Sequence, residues 1–291
     1  MTTSDQASVT AAAGASPAAI AFHYDLGSAF YALWLDRELT YSCAMFADGD
    51  DLERAQRRKI DHHARESGAV GASHVLDVGC GWGSTLRRLV LEHGVARATG
   101  LTLSTDQARW IAAQGDPRTI VRLESWRDHA PDASYDAIVS IGAFEHFVER
   151  SLPRGRKVAA YREFFARCHA WLRPGGALSL QTIAYGTLRP EQISAFITAE
   201  IFPESDLPTL AEIADAVAGL FEVVRLRNDR ADYARTCREW ARRLAARRSE
   251  AAALVGAEKV ASWERFLRMS AAGFEAGGLD LLRITLRRID A

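Results

Sequence analysis

The sequence has little that would commit it to a partner through bulk chemistry. Its 291 residues carry a formal net charge of -1, so no global field draws the chain to nucleic acid or to anionic lipid. The four cysteines, Cys43, Cys80, Cys168 and Cys237, form no CxxC pair and no His/Cys spacing of a zinc site, which suits a reducing cytoplasm. No stretch approaches the roughly 18 apolar residues that a transmembrane segment needs. Any membrane contact is therefore peripheral, made from the surface or by drawing a chain into a pocket. Residues 1–20, rich in Ala, Ser and Thr, lack the basic start and apolar core of a signal peptide and read as a flexible tail. There is no internal repeat.

What is present is an ordinary globular composition, with 48% hydrophobic and 25% charged residues, long enough for one decorated α/β domain over residues 21–291. Residues 21–68 are aromatic-rich and then charged, with Phe22, Tyr24, Phe30, Tyr31 and Trp34 ahead of Leu52 to Ser67, and read as a helical cap. An alternation follows: apolar run His74 to Val78, helix Ser84 to His93, apolar run Ala96 to Thr102, helix Thr105 to Gln114, and strands Thr119 to Leu123 and Tyr135 to Ser140. This is the rhythm of a parallel sheet.

It continues through helix Arg156 to Leu172, the turn Arg173-Pro174-Gly175-Gly176 and strand Ala177 to Ile183. Between Ala184 and Leu210 the pattern breaks around Pro190, Pro203 and Pro208. A long irregular stretch inside a compact domain reads as an inserted lid or binding loop. Helix Thr209 to Leu220, strand Phe221 to Leu226, two helices over Asp232 to Ser249 and Glu258 to Ala272, and strand Leu279 to Arg287 complete the chain. Arg238, Arg242, Arg243, Arg247 and Arg248 could serve phosphate, lipid headgroups or an acidic carrier, but read better as a solvated helix face balanced by nearby acids.

Val75-Leu76-Asp77-Val78-Gly79-Cys80-Gly81-Trp82-Gly83 sets an apolar strand before a glycine-rich turn that opens a helix. Gly79 and Gly81 allow tight turning and close approach of backbone to ligand. Nicotinamide and flavin enzymes use similar turns. Asp77 decides between them, because a carboxylate there repels a pyrophosphate but favours a ligand bearing an ammonium group. That points to S-adenosylmethionine.

The chain resembles the cyclopropane-fatty-acid and mycolic-acid cyclopropane synthases over nearly everything after residue 20. The stretches that carry the likeness are His23 to Gly27 with Phe30-Tyr31, Leu39 to Phe46, the glycine motif, Gly100 to Ser104 with Gln107, Ser140 to Phe147, Ile201 to Pro203 with Leu207-Pro208, and Asp232 to Thr236 with Trp240. The resemblance implies a Rossmann-like class I methyltransferase, with a seven-stranded, mostly parallel sheet, the N-terminal helical cap and an inserted helical lid over residues 184–210. It implies that Tyr41 and Ser42 close over the methionine part of the cofactor, that Asp77, Gly79, Gly81 and Ile141 line it, and that Thr102, Leu103 and Gln107 reach the ribose. It sets Trp126 over the adenine, although an aromatic just after a strand also suits the core. Arg127 departs from the acidic residue usual there.

The chemistry implied is methyl transfer to an alkene carbon, which leaves a carbocation, followed by proton loss with cyclopropane closure. Aromatic faces stabilise such a cation, and Tyr24, Tyr41, Phe144, Phe147 and Tyr233 are the candidates. The family's proton acceptor is a bound bicarbonate, which the resemblance sets among Cys43, Ile141, Glu145 and Tyr233 with a histidine on the strand after the Pro-Gly-Gly turn. Here that position is Gln181, which can donate to an anion but can neither carry positive charge nor relay a proton. Either bicarbonate binds more weakly, or Glu145, whose pKa an apolar pocket would raise, acts as base or holds a substrate amine or hydroxyl. Glu145 and His146 also read as a capped helix start, and Cys43 as a buried structural thiol. Three readings result: a lipid cyclopropane synthase or close relative, a small-molecule C-methyltransferase of specialised metabolism with a converted bicarbonate site, and an inactive cofactor-binding protein.

Overall fold

The computed structural model describes residues 26–202 and 204–290. The tail at 1–20, the motif residues His23, Tyr24 and Asp25, and Pro203 lie outside the described residues. Strands β1 (His74–Val78), β2 (Arg97–Thr102), β3 (Thr119–Leu123), β4 (Tyr135–Ile141), β5 (Leu172–Tyr185), β6 (Phe221–Asn228) and β7 (Leu279–Arg288) form one sheet in the order β3-β2-β1-β4-β5-β7-β6. The first five pair in parallel, while β7 runs antiparallel to both β5 and β6. The helices are α1 (Ser28–Ala32), α2 (Leu52–Glu66), α3 (Ser84–Glu92), α4 (Thr105–Ala113), α5 (Arg154–Trp171), α6 (Leu210–Val217), α7 (Arg230–Ala246), α8 (Arg248–Val255) and α9 (Ala257–Glu275). No helix among the described residues is long and apolar enough to cross a membrane.

Strand alternation sorts the core into two layers. Val75, Ala98, Ala137 and Val139 pack with Ala64 of α2, Leu86 and Leu89 of α3 and Ile111 of α4. Leu76, Val78, Ile138, Leu178 and Leu180 turn the other way, onto Phe164 and Phe165 of α5 and Ile213 and Val217 of α6. A third cluster joins the N-terminal aromatics to the C-terminal helices, with Trp34 edge-on to Trp240 at 5.7 Å and Phe30 to Trp263 at the same separation.

Several expectations need correction. Among its described residues the cap is helical at α1 and α2; between them Asp36 accepts the Thr40 N–H at 2.7 Å and Asp50 the Ala47 N–H at 2.9 Å, which holds the chain in turns. Arg173-Pro174-Gly175-Gly176 does not separate α5 from a strand. Tyr135 pairs with Leu172 and Ala137 with Ala177, so the four residues loop out of a strand that has already begun. The C-terminal pair of helices is a trio, because Arg247 leaves helical geometry and Gly256, at φ 86, ends α8. Ala184 and Tyr185 finish β5, and among the described residues the rest of the 184–210 segment holds a 3-10 turn at Pro190–Gln192, a π turn at Ile197–Ile201 that continues from helical Ala195 and Phe196, and Leu210 at the start of α6. The basic run behaves as a balanced face: Arg238 pairs with Glu275, Arg242 with Glu239, Arg243 with Glu53, Arg247 with Glu250 and Arg248 with Glu264.

The chain leaves β1 toward β2 on one side and β4 toward β5 on the other, so a crevice opens beyond the ends of β1 and β4. The glycine turn forms its floor, with the Gly79 and Cys80 N–H groups donating to the Leu101 carbonyl at 3.0 and 2.9 Å. Gly79 has φ +81, and a Cβ there would stand 2.4 Å from the Ala143 Cβ. Gly81, at φ +55, faces open space. We predict that Gly79→Ala costs about 2–4 kcal/mol through strain and overpacking, whereas Gly81→Ala costs about 1–2 kcal/mol through backbone conformation alone. Urea unfolding of the two variants measures the difference.

Candidate active site

Two cavities meet beyond the sheet. The first is lined by every residue read from the sequence as cofactor-binding: Tyr41, Ser42, Asp77, Gly79, Gly81, Thr102, Leu103, Gln107, Trp126 and Ile141. Local bonds set their orientations. Ser104 caps α4 by accepting the Gln107 N–H, and the Thr102 hydroxyl donates to Gln107 Oε1 at 2.7 Å, which leaves the Gln107 amide nitrogen to face a ligand. Trp126 is both a core residue and a wall of the cavity. It packs on Phe147 and Phe164 at 5.1 and 5.4 Å and also walls the cavity. The Arg127 guanidinium lies 4.3 Å from the Trp126 ring centroid and its Nε is 3.4 Å from Glu163, so the departure at 127 is anchored from outside the ring.

Asp77 is 2% exposed, and its Oδ1 has no hydrogen-bond partner among the described residues. Burial pushes its carboxyl up to about 7, opposed by the positive charge of Lys59. An unsatisfied buried carboxylate oxygen is costly. A ligand that brings an ammonium to Asp77, lies over the open space at Gly81 and stacks against Trp126 removes that cost, and S-adenosylmethionine has those parts.

The second cavity is lined by Glu145, Ile183, Tyr185, Tyr233, Trp240, Phe266 and Phe274, and by much of the 184–210 segment, including Leu188, Ile193, Ile197 and Phe202. Tyr41, Gly142 and His146 line both cavities. Glu145 lies on the 3-10 turn Phe144–His146 just after β4. Its Oε1 accepts the Ile183 N–H at 2.7 Å, while Oε2 is buried with no hydrogen-bond partner among the described residues, the nearby Thr182 hydroxyl donating to the Ile183 carbonyl at 3.0 Å. Burial pushes the Glu145 carboxyl up to about 7, against the lowering effect of the Ile183 bond. Of the aromatics proposed to face a cation, Tyr41 and Tyr233 line this cavity, Phe147 lines the first, and Phe144 stacks on Tyr161 at 4.4 Å in the core. Tyr24 lies outside the described residues.

The group expected around a bicarbonate is divided. Glu145 and Tyr233 share the second cavity and Ile141 walls the first, whereas Cys43 and Gln181 line neither. The Cys43 thiol donates to the Ala44 carbonyl at 3.1 Å, and burial pushes it up to about 12. Gln181 Oε1 accepts from Arg283 Nε at 2.9 Å and lies 3.3 Å from His63 Nε2. Arg283, 2% exposed, spends its remaining donors on Asp229 and on the Ala44 and Cys43 carbonyls. As arranged, these five residues do not surround one space, and the buried cation is already neutralised. They do not fit a bicarbonate.

Sequence reasoning missed three residues here. His63, from α2, stands beside position 181 with Nδ1 2.7 Å from Ser179 Oγ, and burial holds its imidazole well below the ordinary range, hence neutral. A histidine therefore does stand beside the position where the resemblance sets one, but it comes from a helix. Lys59 and Arg283 complete the set. The signal was there in α2, where Ala55, Gln56, Lys59, Ile60, His63 and Ala64 are all buried, so polar residues interrupt an apolar stripe at helical spacing.

Comparison with known proteins gives the family. The family model for mycolic acid cyclopropane synthetase matches residues 14–284. The chain is 35% identical over 286 residues to cyclopropane mycolic acid synthase MmaA2 of Mycobacterium tuberculosis, covering 91% of this chain and 95% of that one. It is 34% identical over 278 residues to a probable fatty acid methyltransferase of Pseudomonas putida, covering 91% and 68%. The solved mycolic acid cyclopropane synthase CmaA1, in complex with SAH and CTAB, superposes with a TM-score of 0.85 at 32% identity over 94% of this chain and 99% of that one. The chain belongs to the mycolic acid cyclopropane synthetase family. It is an enzyme, a methyltransferase whose methyl donor is S-adenosylmethionine.

Arg283 is the residue on which the buried polar group turns. Arg283→Met leaves Gln181 Oε1 and the Ala44 carbonyl without their donor while Asp229 keeps Arg227, and we predict a loss of about 1–3 kcal/mol in urea unfolding.

Proposed function

We propose that this enzyme methylates a carbon of a double bond in an unsaturated acyl chain, and that Glu145 takes the proton released afterwards. The observation that carries this is the unpartnered Oε2 of Glu145, a lone acceptor in a largely apolar cavity that meets the cofactor cavity at Tyr41, Gly142 and His146. The relatives' names support the substrate class: cyclopropane mycolic acid synthase and probable fatty acid methyltransferase both denote action on acyl chains, and the solved relative holds CTAB.

When bound, S-adenosylmethionine supplies an electrophilic methyl on a sulfonium. An alkene carbon displaces it with its π pair, so a C–C bond forms, the S–CH3 bond breaks and the neighbouring carbon becomes cationic. Catalysis by the protein is then mainly positioning and electrostatics. The walls of the second cavity exclude water, with the 184–210 segment acting as the lid. Tyr41 and Tyr233 turn aromatic faces toward the cation, each contributing roughly 0.5–2 kcal/mol where desolvated. Loss of a proton from the new methyl to Glu145 Oε2 closes a cyclopropane, and loss from a chain carbon leaves a methyl-branched alkene. A carboxylate in place of a bicarbonate accords with Cys43 and Gln181 lying outside the cavity.

The test is mass analysis of unsaturated phospholipids and acyl carriers after incubation with enzyme and S-adenosylmethionine; no product from any of them overturns the proposal, and product from a small, non-acyl alkene alone favours specialised metabolism. Because the carboxylate is the active form and burial raises its pKa to about 7, kcat should rise with pH through 7 and level off above. Glu145→Gln should lower kcat by about 10²- to 10⁴-fold and abolish that inflection. Removing bicarbonate should leave the rate unchanged; a dependence on it would show that a bound anion, not Glu145, takes the proton.

A further inference from the structure

Lys59 is fully buried beneath the first cavity, and no carboxylate pairs with it among the described residues. Its ammonium donates to Ser42 Oγ at 2.7 Å. Two buried carboxylates, Asp36 and Asp77, act on it through their charge without pairing with it. Asp36 accepts from the Thr40 N–H and hydroxyl and the Glu38 N–H, and Asp77 leaves Oδ1 unpartnered. Burial and the nearby Arg283 push Lys59 down to about 7. Ser42 itself is fixed, because Gln56 Nε2 donates to the Thr40 and Ser42 carbonyls at 3.1 and 2.8 Å. One cavity thus holds a buried cation and a buried anion that feel each other's charge but form no ion pair among the described residues. Each is costly alone, and together they are the complement of a zwitterion.

We propose that Lys59 is the counter-charge for the carboxylate of the cofactor's methionine part and acts through Ser42. The Ser42 oxygen accepts a hydrogen bond from the Lys59 ammonium, so its own O–H is left to donate to the carboxylate, with the ammonium behind it. Asp77 takes the cofactor's ammonium on the other side. Lys59 is a positioning residue; it touches Ser42, not the reacting methyl. The inference rests on S-adenosylmethionine as cofactor and not on the acyl substrate or on Glu145.

Calorimetric titration with three ligands tests it: S-adenosylmethionine, its decarboxylated form, which keeps the amine, and 5′-methylthioadenosine, which lacks the amino-acid part. The native enzyme should prefer S-adenosylmethionine to the decarboxylated form by at least about tenfold. In Lys59→Met that preference should collapse to within about threefold, while 5′-methylthioadenosine binds as it does to the native enzyme, which shows an intact fold. A preference retained by a folded Lys59→Met overturns the inference. Should that variant lose 5′-methylthioadenosine binding as well, Ser42→Ala decides: a reduced preference supports the route through the hydroxyl, and an unchanged one overturns it. A native enzyme that binds none of the three removes the cofactor itself, and this inference with it.

Discussion

The short segment from Thr40 to Ala44 is clamped between α2 and the sheet by buried polar bonds, and both cavities take their shape from that clamp. Asp36 fixes the Thr40 N–H, Gln56 takes the Thr40 and Ser42 carbonyls, Lys59 holds the Ser42 hydroxyl, Thr236 accepts the Ala44 N–H and Arg283 takes the Ala44 carbonyl. Tyr41, in the middle, walls both cavities. Buried hydrogen bonds of this kind contribute little each but are expensive to break. The cost of leaving any one of them open keeps the segment in a single position. The passage between the two cavities at Tyr41 is therefore held by elements on either side of it.

Three groups next to the reacting space, Asp77, Lys59 and Glu145, each titrate near 7. Burial disfavours the charged form in all three, and at Lys59 the like charge of Arg283 adds to it. Elsewhere the chain spends its charges in pairs, as along α7. The contrast separates scaffold from site. Where the protein needs rigidity, arginines are matched to acids; where it receives a ligand, charge is left for the ligand to complete.

Much of the scaffold was legible in the sequence because period-two and helical patterns report burial directly. Strands β1 to β4 and helices α3 and α4 lie where the apolar runs placed them, and the glycine turn with Asp77 identified the cofactor cavity. What could not be read was contact across elements. Gln181 looked like a lost histidine; that His63 of α2 reaches it from 118 residues away is a property of packing. Nor could Cys43 be known to face Arg283 rather than the substrate cavity. α1 and α2 lie within the expected cap, but aromatic richness and prolines report burial and irregularity without fixing where turns replace helix.

The excursion at Arg173-Pro174-Gly175-Gly176 has a consequence for how such a chain can change. It interrupts β5 at the end of the strand remote from Glu145 and Tyr185, and pairing resumes at Ala177. Residues gained or lost in that loop alter neither the register of Ala177 to Tyr185 nor the faces on which Gln181 and Ile183 emerge. The central strand carries its own expansion joint, so length variation can accumulate there while the residues around the two cavities keep their places.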